Sequence, residues 1–460
     1  MRRILTNVMV LWMLPVLMTS AVQLITAMVG AGGTQLSWLG GQVVAAECKQ
    51  ERRRVPTIGK KTFEVLQEAQ LMIDPERFNQ DNPDQAVEGV KSDPAGALAV
   101  LREGKEKKGL NSYEVAQFWN MMAYAYYTLG DSNNTLRAYR EVLKGEISLA
   151  LELSTLRRLF QLYMIQEDYD TALDYLGRWE KVNCEQDPGM IYFKAYIYLQ
   201  KGDKRRALQY ALEVERVAIA QQRKMKEDWW YLQVILYNEN KDYDNVINVL
   251  EKLITHYQKK RYWVHLSGMY SEKGREDAAL SAAYAAYIQG MFDRETEIVV
   301  LAQRLLNAEV PYEAAVILEK GFKDEIVTEN EKNLKLLAQA YTMAREMDKA
   351  ITAWRNATRH GKDGELHYRL AQALTNEGRH DEAIKSYRDA LKRGGLKDPA
   401  DVSFWLGISL INAKEWDDAI DAFKDTIKLD EEKEKQCTQY INYVESEKRR
   451  IKAIEDLLNS

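Results

Sequence analysis

From about residue 97 to residue 431 the apolar positions recur with the 3.6-residue period of helices lying against a core. The pattern breaks at short polar turns and resumes in the same register every 33 to 39 residues. One slot in each unit holds a small or compact residue: Ala97, Thr135, Ala172, Ala207, Val246, Ala279, Ala314, Ala350, Ala383 and Ala419. Four residues later comes a larger apolar side chain in most units, at Leu101, Tyr139, Leu176, Leu250, Leu318, Trp354, Tyr387 and Phe423. Nine residues before the slot stands Tyr126, Tyr163, Tyr198, Tyr237, Tyr270, Leu305, Tyr341, Leu374 or Leu410. Residues four apart share a helix face, so each unit reads as a helix hairpin whose small residue lets the two helices approach. A lone hairpin cannot bury its apolar face, but stacked hairpins can. The pattern predicts an all-α chain: a right-handed α-solenoid of about ten hairpins over residues 61–431. The 39-residue step from Ala207 to Val246 predicts a second helix extended through Arg223 to Lys226.

The clearest unit is Trp263-x-x-Leu266-Ser267-x-x-Tyr270, with Ala279 nine residues on. It resembles the tetratricopeptide repeat, whose pattern is W-x2-L-G-x2-Y, then A-x3-F, then P. The closing Pro is missing from nearly every unit here. The resemblance implies a protein that binds other proteins.

The two ends differ from the array. Arg2 and Arg3 precede an apolar stretch from about Ile4 to Ala46, ending in Val44-Ala45-Ala46. Residues 1–46 read as a secretory signal cleaved before Glu47. The competing reading is a retained membrane anchor over Val8 to Val29, which the basic residues from Lys49 to Lys61 would orient with the body in the cytoplasm. Residues 47–60, with Arg52-Arg53-Arg54-Val55-Pro56, read as a basic extended lead. Residues 432–460 read as a helix with Tyr440, Val444, Ile451 and Leu458 on its apolar side, capping the last hairpin.

Composition adds exclusions. Eight Pro in 460 residues suit a long helical array, and a net charge of -5 argues against nucleic acid as partner. Cys48, Cys184 and Cys437 lack metal-ligand spacing, so no metal or other cofactor is expected. Cys48 with Cys184 is the candidate disulfide; free thiols throughout are the alternative. The histidines at 256, 265, 360, 367 and 380 read as surface or cap residues. There is no phosphate loop, H-E-x-x-H or G-x-S-x-G, so the chain is not expected to be an enzyme.

In an array of this kind the inner face of the first helices carries recognition. The inner positions are Asn120, Tyr124, Tyr127, Arg157, Gln161, Tyr192, Tyr196, Tyr231, Asn238, Gln303, Lys335, Gln339, Tyr368, Gln372 and Phe404. Amides bond an extended backbone and aromatic rings cover its side chains, so this set points to a peptide-like segment of a protein partner. Some of the tyrosines have a second reading, as packing between neighbouring hairpins.

Five stretches carry a finer resemblance: Cys48-Lys-x-x-Arg-Arg-Arg-Val-Pro56, Leu110 to Asn120, Tyr262 to Tyr270, Val310 to Ala315 and Tyr440 to Glu447. They resemble the periplasmic tetratricopeptide proteins found with TonB-type energy-transduction systems of proteobacteria. That implies a periplasmic adaptor to a TonB–ExbB–ExbD complex. The alternative class is an inner-membrane-anchored cytoplasmic scaffold for cell-envelope assembly or regulation.

Overall fold

The computed structural model describes residues 53–458. The expectations for residues 1–46, including the signal or anchor and the Glu47 start, lie outside the described residues. So does Cys48, and with it the Cys48–Cys184 pairing. Among the described residues there are 22 α-helices and no strand, and the all-α solenoid stands.

Helix α1 (Lys60–Ile73) pairs with α3 (Pro94–Lys105); the short α2 (Pro75–Asp81) lies in their connection. The next hairpins are α4 (Ser112–Thr128) with α5 (Ser132–Val142), α6 (Leu149–Ile165) with α7 (Tyr169–Val182), and α8 (Pro188–Gln200) with α9 (Lys204–Ala220). Then come α10 (Glu227–Glu239) with α11 (Tyr243–Tyr257), α12 (Lys260–Glu272) with α13 (Glu276–Ile288), and α14 (Glu295–Asn307) with α15 (Pro311–Lys323). The last are α16 (Glu331–Met343) with α17 (Met347–His360), α18 (Gly364–Asn376) with α19 (His380–Arg393), and α20 (Pro399–Asn412) with α21 (Trp416–Leu429). Helix α22 (Glu434–Leu458) closes the series. Stacking between consecutive hairpins is thinnest at α7–α8 and α13–α14.

The small slot does what its spacing requires. All ten slot residues, from Ala97 to Ala419, are at 0% exposure. The larger side chains four residues on are buried as well, from Leu101 to Phe423. Hairpin closure explains why Pro is dispensable. In nine turns one residue takes the left-handed conformation: Gly130, Glu167, Gly202, Lys241, Gly274, Glu309, Arg345, Gly378 and Lys414. The next amide then reaches back to the carbonyl of the tyrosine or leucine nine before the slot, as Asp131 N does to Tyr126 O at 2.9 Å and Glu415 N to Leu410 O at 2.9 Å. Reversal of this kind terminates the first helix. In four turns an aspartate follows and caps the second helix, Asp131, Asp168, Asp203 and Asp242 each accepting from an amide three residues on.

Five of those nine turn residues carry side chains that the left-handed region disfavours. Replacing Glu167, Lys241, Glu309, Arg345 and Lys414 together with Gly is expected to raise stability by about 2–5 kcal/mol. Urea unfolding followed by circular dichroism checks this; an unchanged or lower midpoint would contradict it.

The extended second helix stops short. Helix α9 ends at Ala220, because Gln222 turns left-handed (φ 54°) and Arg223 N closes on Ala218 O at 2.8 Å. The remaining residues form a loop, in which Met225 is buried. The described part of the lead, from Arg53, is held to the array: Arg53 pairs with Glu152, Thr57 O accepts from Asn111 Nδ2 at 3.1 Å, and Gly59 N donates to Glu114 Oε1 at 2.9 Å. His367 is not a surface or cap residue. It is buried on α18, where burial first of all holds its imidazole below the ordinary range. In the cap, Val444 is fully buried, whereas Leu458 is 81% exposed, because α22 outruns the hairpin beneath it.

Adjacent hairpins are also joined by ion pairs, among them Lys201–Asp170, Lys273–Asp244 (3.0 Å), Arg304–Glu276 (2.7 Å) and Arg355–Glu382 (2.9 Å).

Candidate partner-binding groove

The first helices of successive hairpins stand side by side, so their free faces form a strip. Across α14, α16, α18 and α20 that strip hollows into a cleft of about 610 Å³. Its lining includes Leu306, Gln339, Met343, Arg369, Gln372, Asn376 and Trp405 from the first helices. Trp354 and Tyr387 reach it from the second helices α17 and α19.

Polar atoms between these helices satisfy one another. Trp354 Nε1 donates to Thr342 Oγ1 at 3.1 Å, and Thr375 Oγ1 lies 3.1 Å from the Tyr387 hydroxyl and 3.3 Å from Ser409 Oγ. Burial, before any neighbour, pushes the Tyr387 phenol up to about 12, so it stays neutral. The rim is less committed. Gln339 is exposed and makes no side-chain hydrogen bond among the described residues. Gln372 Oε1 accepts from Arg369 Nη1 at 3.0 Å, which leaves its amide nitrogen to be offered elsewhere. Trp405 is 38% exposed and Met343 53% exposed, an aromatic face and a deformable thioether beside those amides. Arg369 also pairs with Glu365 at 3.0 Å. No carboxylate, histidine, cysteine or lysine lines the cleft. The cleft thus sets an apolar edge of Trp405 and Met343 beside the Gln339 and Gln372 amides.

Of the positions read from sequence, Gln339 and Gln372 come together in this cleft. Lys335 stands one turn before Gln339 on α16, half-buried, with no ion pair among the described residues. Gln303 and Asn238 are exposed on α14 and α10, and Tyr127 is 43% exposed on α4. Asn120 and Gln161 are half-buried on α4 and α6.

Several others are committed to the fold. Tyr124 donates to Asp74 Oδ2 at 2.6 Å, and burial together with that carboxylate pushes its phenol up. Arg157 lies over the Trp179 ring at 5.4 Å and pairs with Asp187 at 3.9 Å. Tyr192 packs against the core between α8 and α10, its phenol raised by burial. Tyr196 is half-buried and likewise raised by burial. Tyr231 tilts against Tyr262 with centroids 6.0 Å apart, under the Arg261 guanidinium at 5.1 Å. Tyr368 is 7% exposed; its hydroxyl donates to Asp401 of the next hairpin. Phe404 is also buried, edge-on to Phe423 at 5.7 Å. Tyr124, Tyr192, Tyr231 and Tyr368 thus make contacts within the fold. Trp405, Met343 and Arg369 escaped the sequence reading because they lie one position to the side of the inner slots. Trp beside Phe404, both on one first helix, was the available signal.

Two family models for the tetratricopeptide repeat match, one at residues 335–398 and 368–433, the other at residues 116–144. No curated protein matches the chain. Among solved structures, the crystal structure of MamA protein is 20% identical, covering 38% of this chain and 92% of that one at a TM-score of 0.33. YrrB, described as a TPR protein with an unusual peptide-binding site, is 17% identical, covering 39% of this chain and 92% of that one, TM-score 0.33. A tetratricopeptide repeat protein from Parabacteroides merdae ATCC 43184 is 15% identical, covering 61% of this chain and 99% of that one, TM-score 0.35.

Proposed function

We propose that this chain is a non-enzymatic adaptor that captures an extended segment of a protein partner in its inner groove. The observation that carries the reading is the cleft across α14 to α20, where the Gln339 amide and the amide nitrogen of Gln372 stand beside a part-exposed tryptophan and methionine. Among the described residues no group of His, Cys, Asp and Glu is set to hold a metal. The partner is a protein of the cell envelope. The adaptor works in the periplasm, beside a TonB–ExbB–ExbD complex, and the support for that finer reading is the sequence resemblance at both ends of the chain and between them.

The test is capture from a periplasmic extract with mass spectrometry, comparing the wild type with Trp405→Ala and with Gln339→Ala combined with Gln372→Ala. Each variant is expected to weaken capture by about 1–2 kcal/mol, roughly tenfold, at unchanged helical content. Undiminished capture by both variants would remove the cleft from the binding surface. Amino-terminal sequencing of the fractionated protein tests the location: a chain beginning at Glu47 supports the periplasm, and an intact apolar segment with a cytosol-facing body supports the anchored scaffold.

A further inference from the structure

Helix α22 begins fifteen residues after Ala419, where the spacing of the array puts the first helix of another hairpin. It packs there as one: Cys437 and Val444 are at 0% exposure, and Tyr440 stacks on Phe423 with centroids 5.3 Å apart. The first helices α4 to α20 are 13 to 17 residues long and end on a left-handed residue. Helix α22 runs on for 25 residues with no such turn. Its second half therefore projects past the last hairpin.

That projection is amphipathic and charge-segregated. Ile451, Ile454 and Leu458 follow i, i+3, i+7 spacing; Ile451 is half-buried, Ile454 is 44% exposed and Leu458 81%. Arg449 and Lys452 lie toward one end, Glu455 and Asp456 toward the other, and none of the four is in an ion pair among the described residues. We infer that the end of α22 is a self-association surface that takes the same segment of a second copy, antiparallel, across a two-fold axis. Antiparallel pairing sets the basic end of one helix against the acidic end of the other and seats Ile451 against Ile454. Parallel pairing would put like charges together. A two-fold contact uses the same patch on both chains, so the segment must be complementary to itself, as this one is. About three turns on each side make a small interface, so the association is of the weak, concentration-dependent kind.

Sedimentation of the full chain across a range of concentrations tests this. The wild type is expected to move toward dimer mass as concentration rises, and Ile451→Lys with Ile454→Lys to remain monomeric at unchanged helical content. Arg449→Glu with Lys452→Glu, and separately Glu455→Lys with Asp456→Lys, should each weaken association at least about tenfold, and a mixture of the two should restore it. A wild type that stays monomeric overturns the inference. So does a double-isoleucine variant that pairs as well as wild type, or a mixture of charge variants that fails to recover. Sedimentation of the wild type onto anionic vesicles without self-association would assign the segment to a lipid surface instead.

Discussion

Gly364→Ala is expected to destabilise the last third of the array by about 3 kcal/mol, and Gly364→Val by more. A Cβ at this first residue of α18 would stand 2.4 Å from the carbonyl oxygens of Ala390 and Gly394. Both are backbone atoms at the end of α19, so no side-chain rotation relieves the clash. The Gly364 amide also donates to Gly394 O at 3.0 Å, and opening the contact loses that bond. Stability in a stacked array is a sum over nearest neighbours, so the harm falls first on α16 to α22. Most of the cleft lies there, and partner capture should fall with it. Amide exchange measured by mass spectrometry should show lost protection from about residue 331 onward and retained protection in α4 to α7. Uniform loss along the chain, or none, would contradict the account.

Alkali should unfold the protein as its most deeply buried tyrosines ionise, and these should ionise late. Burial, before any charged neighbour, pushes the phenols of Tyr270 and Tyr387 up to about 12. Tyr270 is also held by the Glu251 carboxylate, to which it donates at 2.5 Å. Burial backed by a carboxylate raises Tyr262 and Tyr341 further still. A phenol whose pKa is higher in the fold favours the fold while neutral. That contribution is complete below pH 10, the unfolded value, and is lost as the pH climbs toward and past 12. Absorbance at 295 nm should thus keep a late component that rises together with the loss of helical circular dichroism. Absorbance that is complete before the helix signal falls would rule this out.

The fold was legible because the slot residues obey a spacing that only stacked hairpins satisfy, and all ten are buried without exception. The closing turns were not, since Glu167, Lys241, Glu309, Arg345 and Lys414 are poor left-handed residues that hairpin packing overrides. The same competition ended α9 early, where the Gln222 turn brings Met225 back to the core. The groove was half legible. An inner position gives direction, not occupancy: Tyr368 and Gln372 share a face of α18, yet Asp401 of the next hairpin draws the Tyr368 hydroxyl inward while Gln372 stays on the cleft. His367 reads as polar from its type alone, but the register of α18 turns it toward the packed side.

The thin stackings at α7–α8 and α13–α14 give the array a mechanical character. Each hairpin grips mainly the next, so a pull on one end passes through every junction in series, and the softest junctions take up most of the extension. The protein is then expected to yield first at those two junctions, with the blocks between them holding together longer. Ion pairs between neighbouring hairpins add stiffness that salt screens away, so its compliance should grow with ionic strength. The cleft from α14 to α20 lies wholly within the last block. A partner held there can be tugged or reoriented while the surface that grips it keeps its shape.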